Sequence, residues 1–158
     1  MVAPAIEIRP ARPDETPDAV ASVVAAFLAD PLARFACPRA HDYLRAAPLA
    51  AREVARRSFE HGGAWVSADP GAAALWLPPG VSFDTEALTR LLRVTVEPTH
   101  VGDLLGIVEK LEQWHPAAPH WHLPVLAVEP TAQGRGLGAA LLRPVLARCD
   151  TEGACAYL

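Results

Sequence analysis

The chain has 158 residues and a formal net charge of −4 at pH 7, with 51% hydrophobic and 20% charged residues. That is one domain's length with room for a real core, and the balance excludes a chain that is disordered throughout. It also argues against a general nucleic-acid binder, which needs a basic face, and no apolar run approaches the ~20 residues of a membrane span.

The N-terminus MVAPAIEIRP lacks the pattern of a signal peptide, so the expectation is a soluble single domain over 1–158, located in the cytoplasm. Ile6-Glu7-Ile8-Arg9 alternates and predicts a first strand ahead of Pro10 and Pro13. Asp14 to Thr16 can cap a helix from Pro17 to Ala29, with Val20, Val23, Val24, Phe27 and Leu28 on one side and Asp30-Pro31 as its stop. After a loop, Asp42–His61 reads as a second helix that Pro48 is expected to split, with Arg45, Arg52, Arg56 and Arg57 on the wetter face. Ala64–Ser67 and Ala72–Leu77, either side of Asp69-Pro70-Gly71, predict a hairpin. Two further helices are expected at 85–95 and 100–115, joined at Pro98, and then a loop through Pro119.

Trp121–Val128 is an extended apolar run in which Pro124 marks a poorly paired edge. A turn at 129–132 leads to Gln133-Gly134-Arg135-Gly136-Leu137-Gly138, where a helix opens with Leu137, Leu141, Val145 and Leu146 on its apolar side and Pro144 as a kink. Ala154–Leu158 reads as a last strand, inside which the chain stops. Cys37, Cys149 and Cys155 form neither an even set nor a CxxC pair, which points to buried small hydrophobes. Arginine far outnumbers lysine, present only as Lys110, and alanine is abundant; both suit a GC-rich bacterial genome.

The glycine loop carries the chemistry. Its successive N–H groups at a strand-to-helix junction, with the helix dipole behind them, make a cradle for phosphate or pyrophosphate. A P-loop would need Lys and then Ser or Thr after the last glycine, but Ala139-Ala140 follow Gly138. A dinucleotide fingerprint matches formally as Gly134-x-Gly136-x-x-Ala139. It fails in context, because Glu129–Gln133 intervene and no acidic residue follows at the required distance.

Leu126-Ala127-Val128-Glu129-Pro130-x-x-Gln133-Gly134-x-Gly136-x-Gly138 resembles motif A of the GNAT N-acetyltransferases. The order of elements over 6–158 is similar to that family's, and the helices at 85–115 resemble the branch containing puromycin N-acetyltransferase. The resemblance implies an α/β GNAT fold, a mixed sheet flanked by helices. It implies an enzyme, a transferase that moves acetyl from acetyl-CoA to a primary amine by direct attack, without a metal. Backbone amides of Gln133, Gly134, Arg135, Gly136, Leu137, Gly138 and Ala139 would hold the pyrophosphate, and the edge of Leu126, Ala127 and Val128 would pair with the pantetheine arm. An N–H near Leu126 or Ala127 would face the thioester oxygen.

The family's last helix and strands, including an acid tyrosine, have no counterpart here, and Tyr157 is not that tyrosine. The reading is a C-terminally truncated GNAT domain whose open edge favours a homo-oligomer. A small-molecule amine, of aminonucleoside or amino-sugar type if the branch holds, is the expected acceptor, with no nucleic acid or membrane partner. The alternative is an acyl-CoA-binding or partner-binding domain that has lost the chemistry. His120-x-His122 beside His115 reads more readily as the edge of a cleft than as a metal site, and His122 or His120 is the candidate base. Trp76 is a candidate floor for the acceptor pocket, Glu129 is expected to face water, and Arg135 is a candidate phosphate partner.

Overall fold

Residues 6–158 are described in a computed structural model; the signal-peptide reading falls partly on residues 1–5, outside them. The N-terminal alternation yields strand β1 at Ile8–Pro10, antiparallel to β2 at Ala64–Ser67. Pro10 is tolerated inside β1 because the strand lies at the sheet edge. Helix α1 spans Thr16–Ala26 and buries Ala19, Val20, Ser22 and Val23. It stops three residues before the expected end, so Leu28 lies beyond it and is 49% exposed.

Asp30-Pro31 begins a helix as well as following one. The Asp30 carboxylate accepts a hydrogen bond from the Ala33 N–H (2.9 Å), and α2 runs Pro31–Ala36 where a loop was expected. An Asp cap with proline in the first turn is a helix-start signature. Helix α3, Ala40–Glu60, passes Pro48 without a break. The carbonyl that proline leaves without a partner belongs to Leu44, which is 60% exposed and can be hydrated. Arg56 on this helix lies between Glu53 and Glu60, and Arg57 donates to the Ser82 carbonyl.

The hairpin forms as expected, β2 pairing with β3 at Ala72–Leu77. Asp84 caps α4 (Thr85–Thr95) through the Ala87 N–H, and Pro98 is the first residue of α5 (Pro98–Gln113) rather than a joint ahead of it. β4 covers His120–Val128, α6 covers Leu137–Glu152 through Pro144, and β5 covers Cys155–Tyr157. The five strands lie in chain order; all pairs are antiparallel except β4 with β5, which is parallel across α6. This is the mixed α/β sheet flanked by helices that was expected.

Each face of the sheet has its own core. On one, Ala72, Ala74, Trp76, Trp121 and Leu123 meet Leu141, Val145 and Cys149 of α6. On the other, Leu75 and Ala127 meet Val20 and Val23 of α1 and Ala51 and Ala55 of α3. Trp76 is fully buried in the α6 core, so it cannot floor an acceptor pocket. Cys37 and Cys149 are buried, whereas Cys155, on the short edge strand, is exposed. Among the described residues no helix is long and apolar enough to cross a membrane.

Candidate active site

The site is built along β4. Four successive pairs, Ala72 with Val128 through Leu75 with Val125, keep one register against β3, but Leu77 then pairs with His122. One residue of β3, Trp76, therefore stands opposite two of β4, Leu123 and Pro124: a bulge with its extra residue on β4. Proline suits it, having no N–H to give to a ladder.

The bulge reverses which residues face which side. Before it, Trp121 and Leu123 point to α6 and His122 to the other face. After it, Leu126 and Val128 pack with the α6 core, while Val125 and Ala127 pack with α1 and α3. His122 and Val125 thus share a face although they are three residues apart.

The backbone direction can be fixed at the far end of the strand. Glu129 donates its N–H to the Gly71 carbonyl (2.8 Å), so its peptide faces β3. Alternation then turns the N–H groups of Leu126 and Val128 away from β3. On that side β5 pairs only with His120, Trp121 and His122, and among the described residues no strand covers the edge from Leu123 onward. The Val128 carbonyl on the same edge accepts from the Gln133 side-chain amide (3.0 Å), which pins the glycine loop to the strand end.

In the loop, Gly134 (φ +76°) and Gly136 (φ +83°) adopt the left-handed conformation that glycine favours. Gly136 is the N-cap of α6 and has no side chain to cap it. The N–H groups of Gln133 and Arg135 turn back toward the 3-10 turn at Pro130–Ala132, whereas among the described residues none from Gly136 to Ala139 has an acceptor; the next, Ala140, is bonded to the Gly136 carbonyl (3.0 Å). Gln133 to Gly136 and Ala139 are exposed, Leu137 and Gly138 half-buried. Gly138 needs no special backbone, and a Cβ there would meet only Leu126 Cδ2 at an ordinary 3.7 Å. Arg135 folds back, donating to the Thr131 carbonyl (3.0 Å).

At the other end of β4 the structure gathers an aromatic cluster. His122 stacks edge-on against His115 (ring centroids 4.4 Å), with Tyr157 of β5 at 5.6 Å and Phe83 at 5.9 Å. Burial, then the charges His115 and His120 would carry, push the His122 imidazole down to about 4. His122 lines a cavity of about 570 Å³ together with Ser82, Phe83, Glu112, His115 and His120. Despite three histidines, no group of three or more His, Cys, Asp or Glu side chains among the described residues is arranged to hold a metal ion.

Sequence reasoning missed two members of this end. Tyr157 was set aside, yet the parallel pairing of β5 with β4 puts it opposite His122; Phe83 gave no signal at all. Glu129 does not simply face water: it is half-buried and accepts from the Ser22 hydroxyl (3.1 Å), tying α1 to the strand end.

These features can be set beside known proteins. The family model described as Acetyltransferase (GNAT) family matches residues 65–158, from β2 to the last residue. The chain belongs to the GNAT family of acetyltransferases. Similar solved structures include a histone acetyltransferase HPA2 and related acetyltransferase from Corynebacterium glutamicum (24% identity, 92% of this chain and 72% of that one, TM-score 0.63). Another is arylalkylamine N-acetyltransferase 2 from Aedes aegypti (15%, 94% and 72%, TM-score 0.61). A third is a polyamine N-acetyltransferase from Drosophila melanogaster (20%, 95% and 73%, TM-score 0.55). At these identities the likeness is one of fold.

Proposed function

We propose that this acetyltransferase takes its acetyl group from acetyl-CoA and gives it to the primary amine of a small molecule in a ternary complex. The observation that carries the reading is the run of acceptor-free N–H groups from Gly136 to Ala139 at the start of α6. Four consecutive donors at the positive end of a helix suit a pyrophosphate. Glycine at 138, which neither backbone nor packing requires, suits a ligand approaching from outside. The free β4 edge offers the Leu126 and Val128 N–H groups to the amides of a pantetheine arm, as an added strand would use them. Of these, the Leu126 N–H lies nearest the bulge and is the candidate oxyanion donor.

The acceptor nitrogen attacks the thioester carbonyl carbon, the C–S bond breaks, and the thiolate leaves with a proton. Before attack the ammonium must lose a proton. The His122 imidazole, uncharged at neutral pH, is the candidate to accept it, directly or through one water. Its opening into the histidine-lined cavity gives that proton a way out to solvent.

Calorimetric titration with acetyl-CoA, with NAD as control, tests the donor site. Saturable binding of acetyl-CoA alone is expected; no binding to folded protein would overturn the assignment. Release of free CoA on adding amines then separates the enzyme from a domain that only binds the acyl donor.

A further inference from the structure

The face of the sheet opposite α6 is not filled. Between α1, α2, α3 and α4 lies a cavity of about 230 Å³ whose floor is Val125 of β4, the residue immediately before Leu126. Its walls are small, aliphatic or aromatic, among them Val23 of α1, Phe27 just after it, Ala50 and Val54 of α3, and Leu92 of α4. The few polar groups on its walls are already engaged or neutral. The Tyr43 hydroxyl donates to the Val24 carbonyl (2.7 Å) and the Thr95 hydroxyl to the Leu91 carbonyl (2.7 Å). Burial pushes the Cys37 thiol up, so it stays uncharged. No carboxylate lines the cavity.

The cavity has a charged rim. Cys37, Ala46, Thr95 and Val96 are shared with a polar depression above it, edged by Arg39, Asp42, Arg45 and Glu97. Arg39 pairs with Asp42 (2.5 Å) and lies 3.8 Å from Glu97. A path therefore runs from a polar surface, through an apolar chamber, to the β4 segment that carries the candidate oxyanion donor.

We propose that this chamber is the acceptor subsite and that it selects amines with an uncharged apolar body about the size of one aromatic ring. This rests on the N-acetyltransferase reading above. The size fits, since an apolar cavity of ~150 Å³ is enough to take up benzene. The position fits as well. His122 and Val125 share a face of β4 and stand opposite Leu77 and Leu75, about 7 Å apart along the strand, so a ring over Val125 leaves a two-carbon arm to carry the nitrogen toward the imidazole. Within the chamber itself a second cationic end, or a hydroxyl-rich sugar, would be buried with nothing to pair with.

The test compares 2-phenylethylamine, agmatine and glucosamine as acceptors, read by CoA release at saturating acetyl-CoA. A kcat/KM for 2-phenylethylamine at least tenfold above both others is expected; preference for agmatine or glucosamine overturns the proposal. Ala50→Phe fills the chamber and should raise the 2-phenylethylamine KM at least tenfold while acetyl-CoA affinity stays within twofold. An unchanged KM also overturns it. Should Ala50→Phe not fold, Leu92→Ala enlarges the chamber from α4, and a shift in favour of 2-(2-naphthyl)ethylamine is the expected outcome; no shift counts against the proposal. If no amine is acetylated, the transferase reading fails on its own. Direct titration of the CoA-saturated protein with 2-phenylethylamine then decides the chamber separately: binding lost in the filled variant supports it, and absence of binding overturns it.

Discussion

The two faces of the sheet are packed by opposite rules. Toward α6, Trp76 and Trp121 pack against the leucines of α6 in one buried cluster. Toward α1 and α3, alanines at 46, 47, 50 and 51 line the chamber and leave about 230 Å³ open. The first face holds the donor loop rigidly to the strand; the second leaves room for a substrate. Abundant alanine, which in the sequence looks like genome composition, here sets the shape of the chamber.

The contrast can be broken at several points. The largest effect is expected from Gly136→Asp, which puts a carboxylate where an anion should bind and forces a side chain onto a residue at φ +83°. Acetyl-CoA affinity should fall more than about 100-fold by calorimetry, given how strongly such a site depends on unopposed N–H donors; retained affinity in a folded variant would remove the loop from the site. Leu141→Ala, on the filled face and fully buried, should cost about 2–5 kcal/mol in denaturant unfolding. His122→Gln should lower kcat about 100-fold with little change in acetyl-CoA affinity, the usual scale for loss of a positioned base. Val54→Ala, on the open face, should cost less than about 1.5 kcal/mol, because it enlarges an existing space instead of making a new one. Equal costs at Leu141 and Val54 would contradict the two packing rules.

Two further effects are in pH. With the folded imidazole of His122 pushed down to about 4, the unfolded chain takes up its proton near pH 6.5 while the native state does not. Stability should therefore decline as pH falls from about 6.5 to about 4, and His122→Gln should remove that part of the slope. The acid limb of kcat should likewise lie near 4 rather than 6.5. Glu15 acts in a separate, lower window: hydrogen bonds from Arg9 and from the Arg12 N–H hold its carboxyl down to about 2. Its contribution is present above about 4.5 and lost as pH falls through 2.

The donor loop was legible in the sequence because its chemistry is local. Glycines at 134 and 136 answer a backbone requirement within a few residues, and the strand before and helix after give them context. α2 is legible too, in Asp30-Pro31, a pair that both stops one helix and starts the next. The histidine end was half visible. His120-x-His122 stood out, whereas Tyr157 reaches His122 only through a parallel pairing across α6 that no local pattern encodes. The chamber was invisible for a related reason: small residues on α3 say that something comes close, and only the packing of α1, α2 and α4 shows that a gap remains. Pro124 was read as a weak edge; that it sits in a bulge depends on counting residues against β3.

That count makes β4 behave like a reading frame. Were the same nine residues paired in a regular ladder without the bulge, the first part of the strand would turn over, sending the imidazole of His122 into the oily interior beneath α6 and the indole of Trp121 outward. The three-residue step from His122 to Val125 and the bulge that absorbs it keep the site in phase only together.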